Sequence, residues 1–161
     1  MVLLLVGESP PPHKGFFYDA TAPEGQLSRN TRRAFEDVSG AKFTDRKDFL
    51  NQFKRKGCYL HDLFGPRGRT ILRADRREQE VAVEKLSNLL QQEKPKTTVS
   101  VLKRTSKLVR RAIERAQTPI NYRTLPYATR SYVTQYRSGL AAILTSFSEG
   151  SGKAHHPPPQ R

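Results

Sequence analysis

Apolar positions fall in short, separated groups along the chain, and the spacing inside each group predicts an element. Val2-Leu3-Leu4-Leu5-Val6 is an unbroken apolar run closed by Gly7 and the prolines beyond it. Such a run suits a strand buried on both faces, as in a parallel sheet. Leu27, Thr31, Ala34, Phe35 and Val38 recur at helical spacing and stop at Ser39-Gly40. Thr44 and Asp45 offer caps for a second helix carrying Phe49, Leu50 and Phe53, closed by Gly57. Cys58 to Phe64 reads as a strand interrupted by His61 and Asp62, with Gly65-Pro66-Arg67-Gly68 as the turn after it. Ala82, Val83, Leu86, Leu89 and Leu90 form the stripe of a third helix, whose charges between Asp75 and Glu93 surround it and which Pro95 stops. Thr97 to Leu102 is β-branched and apolar, hence a third strand. Leu108, Val109, Ala112, Ile113 and Ala116 mark a fourth helix capped by Thr105 or Ser106, and Ile120 to Leu125 a fourth strand ended by Pro126. Val133, Tyr136, Leu140, Ile143, Leu144 and Phe147 mark the last helix.

Strands therefore alternate with helices. That order predicts an α/β fold with three α/β/α layers, a four-stranded, mainly parallel sheet and right-handed crossovers. One domain is expected over residues 1–148. From Glu149 to Arg161 the composition turns to Gly, Ser, His and Pro, which predicts a disordered tail. No internal repeat is visible. In such sheets ligands bind where the strands' C-terminal ends meet the following loops. The segments to search are residues 7–18, 61–69, 103–106 and 125–130.

Composition sharpens the class. The 161 residues include 29 Lys and Arg against 15 Asp and Glu, a formal charge of +14. An excess of this size attracts polyanions, nucleic acid above all. It is concentrated in two groups, Arg67, Arg69, Arg73, Arg76 and Arg77 after the second strand, and Lys103, Arg104, Lys107, Arg110, Arg111 and Arg115 after the third. Both groups begin at the expected ligand edge. A single cysteine, Cys58, excludes a disulfide framework and any four-cysteine metal or iron–sulfur site. The first apolar run is too short for a signal peptide and no segment is long enough to span a bilayer. A cytoplasmic protein is expected, nucleoid-associated in a prokaryote, monomeric, without metal or cofactor.

The strand ends carry the candidate chemistry. Gly7-Glu8-Ser9-Pro10-Pro11-Pro12 lacks the endings of a P-loop and the glycine spacing of a dinucleotide site. A glycine leaving a buried strand, then two polar residues and a proline, makes a rigid turn that presents Glu8 and Ser9 at the sheet edge. Equally, it reads as a plain strand-ending turn. Phe16, Phe17 and Tyr18 suit either a stacking platform for a planar ligand or a core plug. Asp62, at the end of the second strand, faces a cleft as an acceptor for N–H groups, or pairs with Arg67 or Arg69. His61 falls on the opposite face. Thr129, Arg130 and Ser131, leading the last helix, suit a backbone phosphate or a simple cap.

Taken together, these residues resemble the uracil-DNA glycosylase superfamily over most of the chain up to Phe147, by order of elements more than by identity. Gly7-Glu8-Ser9-Pro10 is similar to the Gly-polar-polar-Pro motif after the first strand of that family. Phe16 or Phe17 would then be the stacking aromatic, Asp62 would stand at the base-reading Asn, and Leu125-Pro126-Tyr127-Ala128 would be the DNA-entering loop. A Gly-Glu-small-Pro form also looks like the iron–sulfur branch, whose cluster the single cysteine excludes. The nearest likeness is to small glycosylase-like proteins with Gly-Glu-Ser-Pro-Pro and Phe-Phe-Tyr. Three positions depart from the family. Ser9 stands where an acidic or amide side chain orients water, Asp62 replaces the Asn, and Leu125 replaces a His.

The resemblance implies a protein that binds nucleic acid, DNA in particular, flips a damaged base from the stack and hydrolyses its N-glycosidic bond. Glu8, Ser9 and Asp62 would be the catalytic set, with Glu8 left to position water. Gly7, Pro10, Phe16, Phe17 and Tyr127 would bind the base, and Arg67, Arg69, Lys103, Arg104, Lys107 and Arg130 the backbone. The three departures leave open a second expectation, a non-catalytic nucleic-acid or nucleobase-binding module on the same fold. A small-molecule hydrolase using Glu8 and Asp62 is a third.

Overall fold

The computed structural model describes residues 1–11, 16–65 and 70–150, with the backbone alone for 148–150. Among the described residues, four strands and five helices alternate. They are β1 (Leu3–Gly7), α1 (Gln26–Ser39), α2 (Arg46–Arg55), β2 (Cys58–Asp62), α3 (Arg76–Glu93), β3 (Thr97–Ser100), α4 (Ser106–Ala116), β4 (Asn121–Thr124) and α5 (Val133–Gly150). All pairings are parallel and the strand order is β2-β1-β3-β4. The three-layer α/β/α architecture expected from the alternation is the one observed.

Every residue of β1 is buried, as its unbroken apolar run requires. Leu3 and Leu5 face a core shared with α1, α2 and α5, built around Phe35, Phe49, Phe53, Tyr136 and Leu140. Leu4 and Val6 face the other layer, where α3 and α4 contribute Val83, Leu86, Leu90, Leu108 and Val109. The period-2 alternation of one strand thus feeds two cores. Register matters for the chemistry: Gly7 stands beside Asp62, and Val6 beside His61. Asp62 therefore shares the α1/α5 side of β2 with Leu60, and His61 lies on the α3/α4 side, where burial pushes its imidazole below the ordinary value.

Local signals set the boundaries. Asp45 caps α2 by accepting from the Asp48 N–H at 2.8 Å. Asp75 caps α3 through a reciprocal box with Glu78. Gly57 takes φ +71°, a conformation that turns the chain from α2 into β2. Several boundaries differ from the sequence-based expectation: β3 stops at Ser100 rather than Leu102, and β4 spans Asn121–Thr124 rather than Ile120 to Leu125. β2 ends at Asp62, although the Leu63 and Phe64 N–H groups still donate to the Gly7 and Glu8 carbonyls. Neither Thr105 nor Ser106 caps α4 with its side chain: a 3-10 turn over Lys103–Thr105 leads in, and the Thr105 hydroxyl donates to the Leu102 carbonyl at 2.8 Å. The helix α5 runs to Gly150, and residues 151–161 of the expected tail lie outside the described residues.

Candidate functional site

β1 and β3 are neighbours, and their following segments leave for opposite faces: α1 packs against α5, and α4 against α3. That divergence opens a crevice at the strands' C-terminal ends, the position where doubly wound sheets hold ligands. A cleft of about 460 Å³ lies there, lined by Gly7, Glu8, Ser9, Phe16, Phe17, Leu60, Asp62, Arg104, Tyr127 and residues at the start of α1. Residues as far apart in sequence as Glu8, Asp62 and Tyr127 meet around one hollow.

Asp62 sits over the end of β1. A Cβ on Gly7 would fall 2.3 Å from its Oδ1, so the glycine is what admits the carboxylate to this place. Burial pushes the Asp62 carboxyl up to about 6. Among the described residues nothing donates to it; Arg67 and Arg69, the partners proposed from sequence, lie outside them.

Glu8 is held differently. It accepts from Arg104 Nε at 2.9 Å, from Arg104 Nη2, and from the Ile71 N–H at 3.0 Å. Its side chain is 9% exposed. The two-point contact fixes both partners and holds the Arg104 guanidinium above its ordinary value.

The two phenylalanines divide the roles offered by sequence. Phe17 is a core plug, edge-on to Phe49 and packed against Phe53, with only one side on the cleft. Phe16 is 45% exposed on the cleft wall and presents a ring to the opening. Arg46, from the first turn of α2, pins this segment by donating to the carbonyls of Ala22, Phe16 and Phe17. Tyr18 completes the support. Its hydroxyl donates to the Leu60 carbonyl at 3.1 Å and accepts from the Leu60 N–H at 2.6 Å, so it satisfies the open edge of β2.

On the far wall, the loop after β4 carries Tyr127. Burial pushes its phenol up, helped by the charges of Asp62 and Glu8. Asn30 of α1 donates to the Ala128 carbonyl at 3.2 Å, and the fully buried Tyr136 hydroxyl meets Thr31 Oγ1 at 2.8 Å. The first bond ties the loop to α1, and the second ties α5 to α1. Pro10 is half-buried and is not part of the lining, where Pro11 is found instead.

The basic residues separate into committed and free. Arg104 holds Glu8, and Arg111 and Arg115 both hold Glu80 of α3. Arg110 lies 5.0 Å over the Tyr122 ring. Lys103, Lys107, Arg73, Arg76, Arg77 and Arg130 are exposed and make no ion pair among the described residues. Thr129 lines the cleft, while Arg130 and Ser131 point to solvent in a 3-10 turn, Arg130 with φ +39°.

Sequence reasoning did not find Arg46, Asn30 or the start of α1, and it placed Tyr18 and Thr31 without the hydrogen bonds they make. Asn30 carried a faint signal as an amide on the edge of an apolar stripe. Arg46 carried none, because its partners are carbonyls 24 to 30 residues away. Among the described residues no three His, Cys, Asp or Glu side chains cluster as a metal site, and no helix is long and apolar enough to cross a membrane. No protein-family model matches the chain, and no curated protein matches it significantly.

Proposed function

We propose that this protein binds nucleic acid, receives one unstacked base in the cleft and cleaves its N-glycosidic bond, as the likeness to uracil-DNA glycosylases suggests. The convergence of Glu8, Asp62, Phe16 and Tyr127 around a hollow of about 460 Å³ carries this reading. A flat heterocycle needs an aromatic face, polar groups at its edge and a rim that tolerates phosphate. Phe16 supplies the face and Asp62 the edge. Exposed Lys103 and Lys107 lie next to the cleft in sequence and offer the rim. In hydrolysis a carboxylate would orient water toward the anomeric carbon while the base departs.

The binding module without hydrolysis is the second reading, and one observation favours it. Glu8 already accepts three hydrogen bonds, two of them from a guanidinium. A carboxylate so engaged has most of its acceptor sites taken and little left with which to orient a water.

Incubation of the purified protein with end-labelled single strands and duplexes carrying uracil, hypoxanthine or xanthine separates the two. Breakage after alkali that is lost in Glu8→Gln or Asp62→Ala establishes the hydrolase. Retention of the strands without breakage establishes the module. No affinity for any strand refutes both.

A further inference from the structure

Asp62 is unusual for a cleft floor: a carboxylate with no donor directed at it among the described residues, held by close approach to a glycine rather than by an ion pair. Its neighbours are also ill-suited to neutralise it. Glu8, from the end of β1, is a second carboxyl group with no donor to offer, and it already accepts from Arg104 and the Ile71 N–H. Tyr127, from the loop after β4, and Tyr18, from the segment before α1, each feel the Asp62 charge as an unfavourable one. Tyr18 also spends its hydroxyl on both polar groups of Leu60. The partner this carboxylate lacks is a pair of adjacent N–H donors, since an ionised carboxylate accepts at two oxygens and donates nothing.

We propose that the cleft selects the guanine edge, with the two Asp62 oxygens accepting from the ring N1–H and the exocyclic N2 amino group while Phe16 covers the ring face. Of the ordinary bases, guanine alone offers two neighbouring donors there. Uracil and thymine offer one N–H set between two carbonyls, and hypoxanthine one N–H set between a carbonyl and a C–H. Xanthine flanks its N–H with two carbonyls, which a carboxylate repels. Adenine and cytosine offer an amino group beside an unprotonated ring nitrogen, again a clash of acceptors. The inference rests on the reading of the cleft as a nucleobase site and names the base it takes. It also inverts the expectation carried by an Asn at this position, whose amide both donates and accepts.

Calorimetric titration of the full chain with guanosine, inosine, xanthosine, adenosine and uridine at pH 7.5 tests it. Inosine differs from guanosine by the N2 amino group alone, so guanosine is expected to bind roughly tenfold more tightly or better. Asp62→Asn is expected to abolish that ratio and to move preference toward inosine and uridine. Guanosine affinity is expected to fall as pH drops below about 6, where the carboxyl takes up a proton and loses one acceptor. Equal affinities, a preference for uridine or inosine in the unaltered protein, or an unchanged ratio in Asp62→Asn overturns the inference but leaves a nucleobase site standing. Absence of binding by every nucleoside, together with absence of binding to guanine-containing and guanine-free single strands, overturns both.

Discussion

The raised Asp62 carboxyl makes stability depend on pH in a defined direction. In the unfolded chain the group titrates near 3.8, and burial in the folded protein pushes it up to about 6. Between those values the native state binds more protons than the unfolded one, so stability falls as pH rises through the window. Protonated Asp62 is the comfortable form in the cleft, and ionising it costs on the order of 3 kcal/mol more than in the unfolded chain. Urea unfolding is therefore expected to give a less stable protein at pH 7.5 than at pH 5 by part of that amount. Asp62→Asn is expected to remove this component and to be the more stable variant at pH 7.5. An equal pH slope in both proteins would contradict the buried carboxyl. Gly7→Ala probes the same contact from the other side. Its methyl would fall 2.3 Å from Oδ1, and displacing the carboxylate is expected to cost about 1–3 kcal/mol. In an Asp62→Gly background that cost should largely vanish, so the double-mutant cycle reads the contact directly.

Elements were legible where the signal was local. The apolar stripe of α3, the Asp45 and Asp75 caps and the buried run of β1 all follow from periodicity and capping, which depend on neighbours a few residues apart. The parallel sheet followed from the alternation of elements, and with it the edge on which the cleft opens. Gly7, Glu8 and Asp62 stood out because they end strands at that edge. What escaped was whatever depends on tertiary partners: Arg46 reaching three carbonyls, Asn30 reaching Ala128, and the commitment of Arg111 and Arg115 to Glu80. A sequence shows that a cation is present but not which anion holds it. The contact between α1 and the loop after β4 yields its own test. Asn30 is 4% exposed, and its amide bridges the Gln26 and Ala128 carbonyls. Asn30→Ala strips the buried Ala128 carbonyl of that partner and is expected to cost about 1–3 kcal/mol. Hydrogen exchange should quicken over residues 126–132 while β1 and β2 keep their protection; uniform quickening would mean that Asn30 supports the fold generally rather than the cleft wall.

At the scale of the molecule, a charge of +14 does not translate into fourteen phosphate contacts. Arg111 and Arg115 join α4 to α3, Arg137 joins α5 to Asp37 of α1, and Arg32 joins Glu24 to Glu36. These cations are bound before any polyanion arrives. Lys103 and Lys107 are exposed and flank the Arg104 turn at the cleft. If nucleic acid lies along this edge, its affinity should fall steeply with salt, because each neutralised phosphate releases a condensed counterion. Lys107→Gln is expected to reduce the slope of log K against log salt by about 1. Arg111→Gln is expected to leave that slope nearly unchanged, since its guanidinium belongs to Glu80. Fluorescence anisotropy with a labelled oligonucleotide across a salt series measures both. A flat salt response, or equal effects of the two substitutions, would show that the basic edge beside the cleft does not carry the strand.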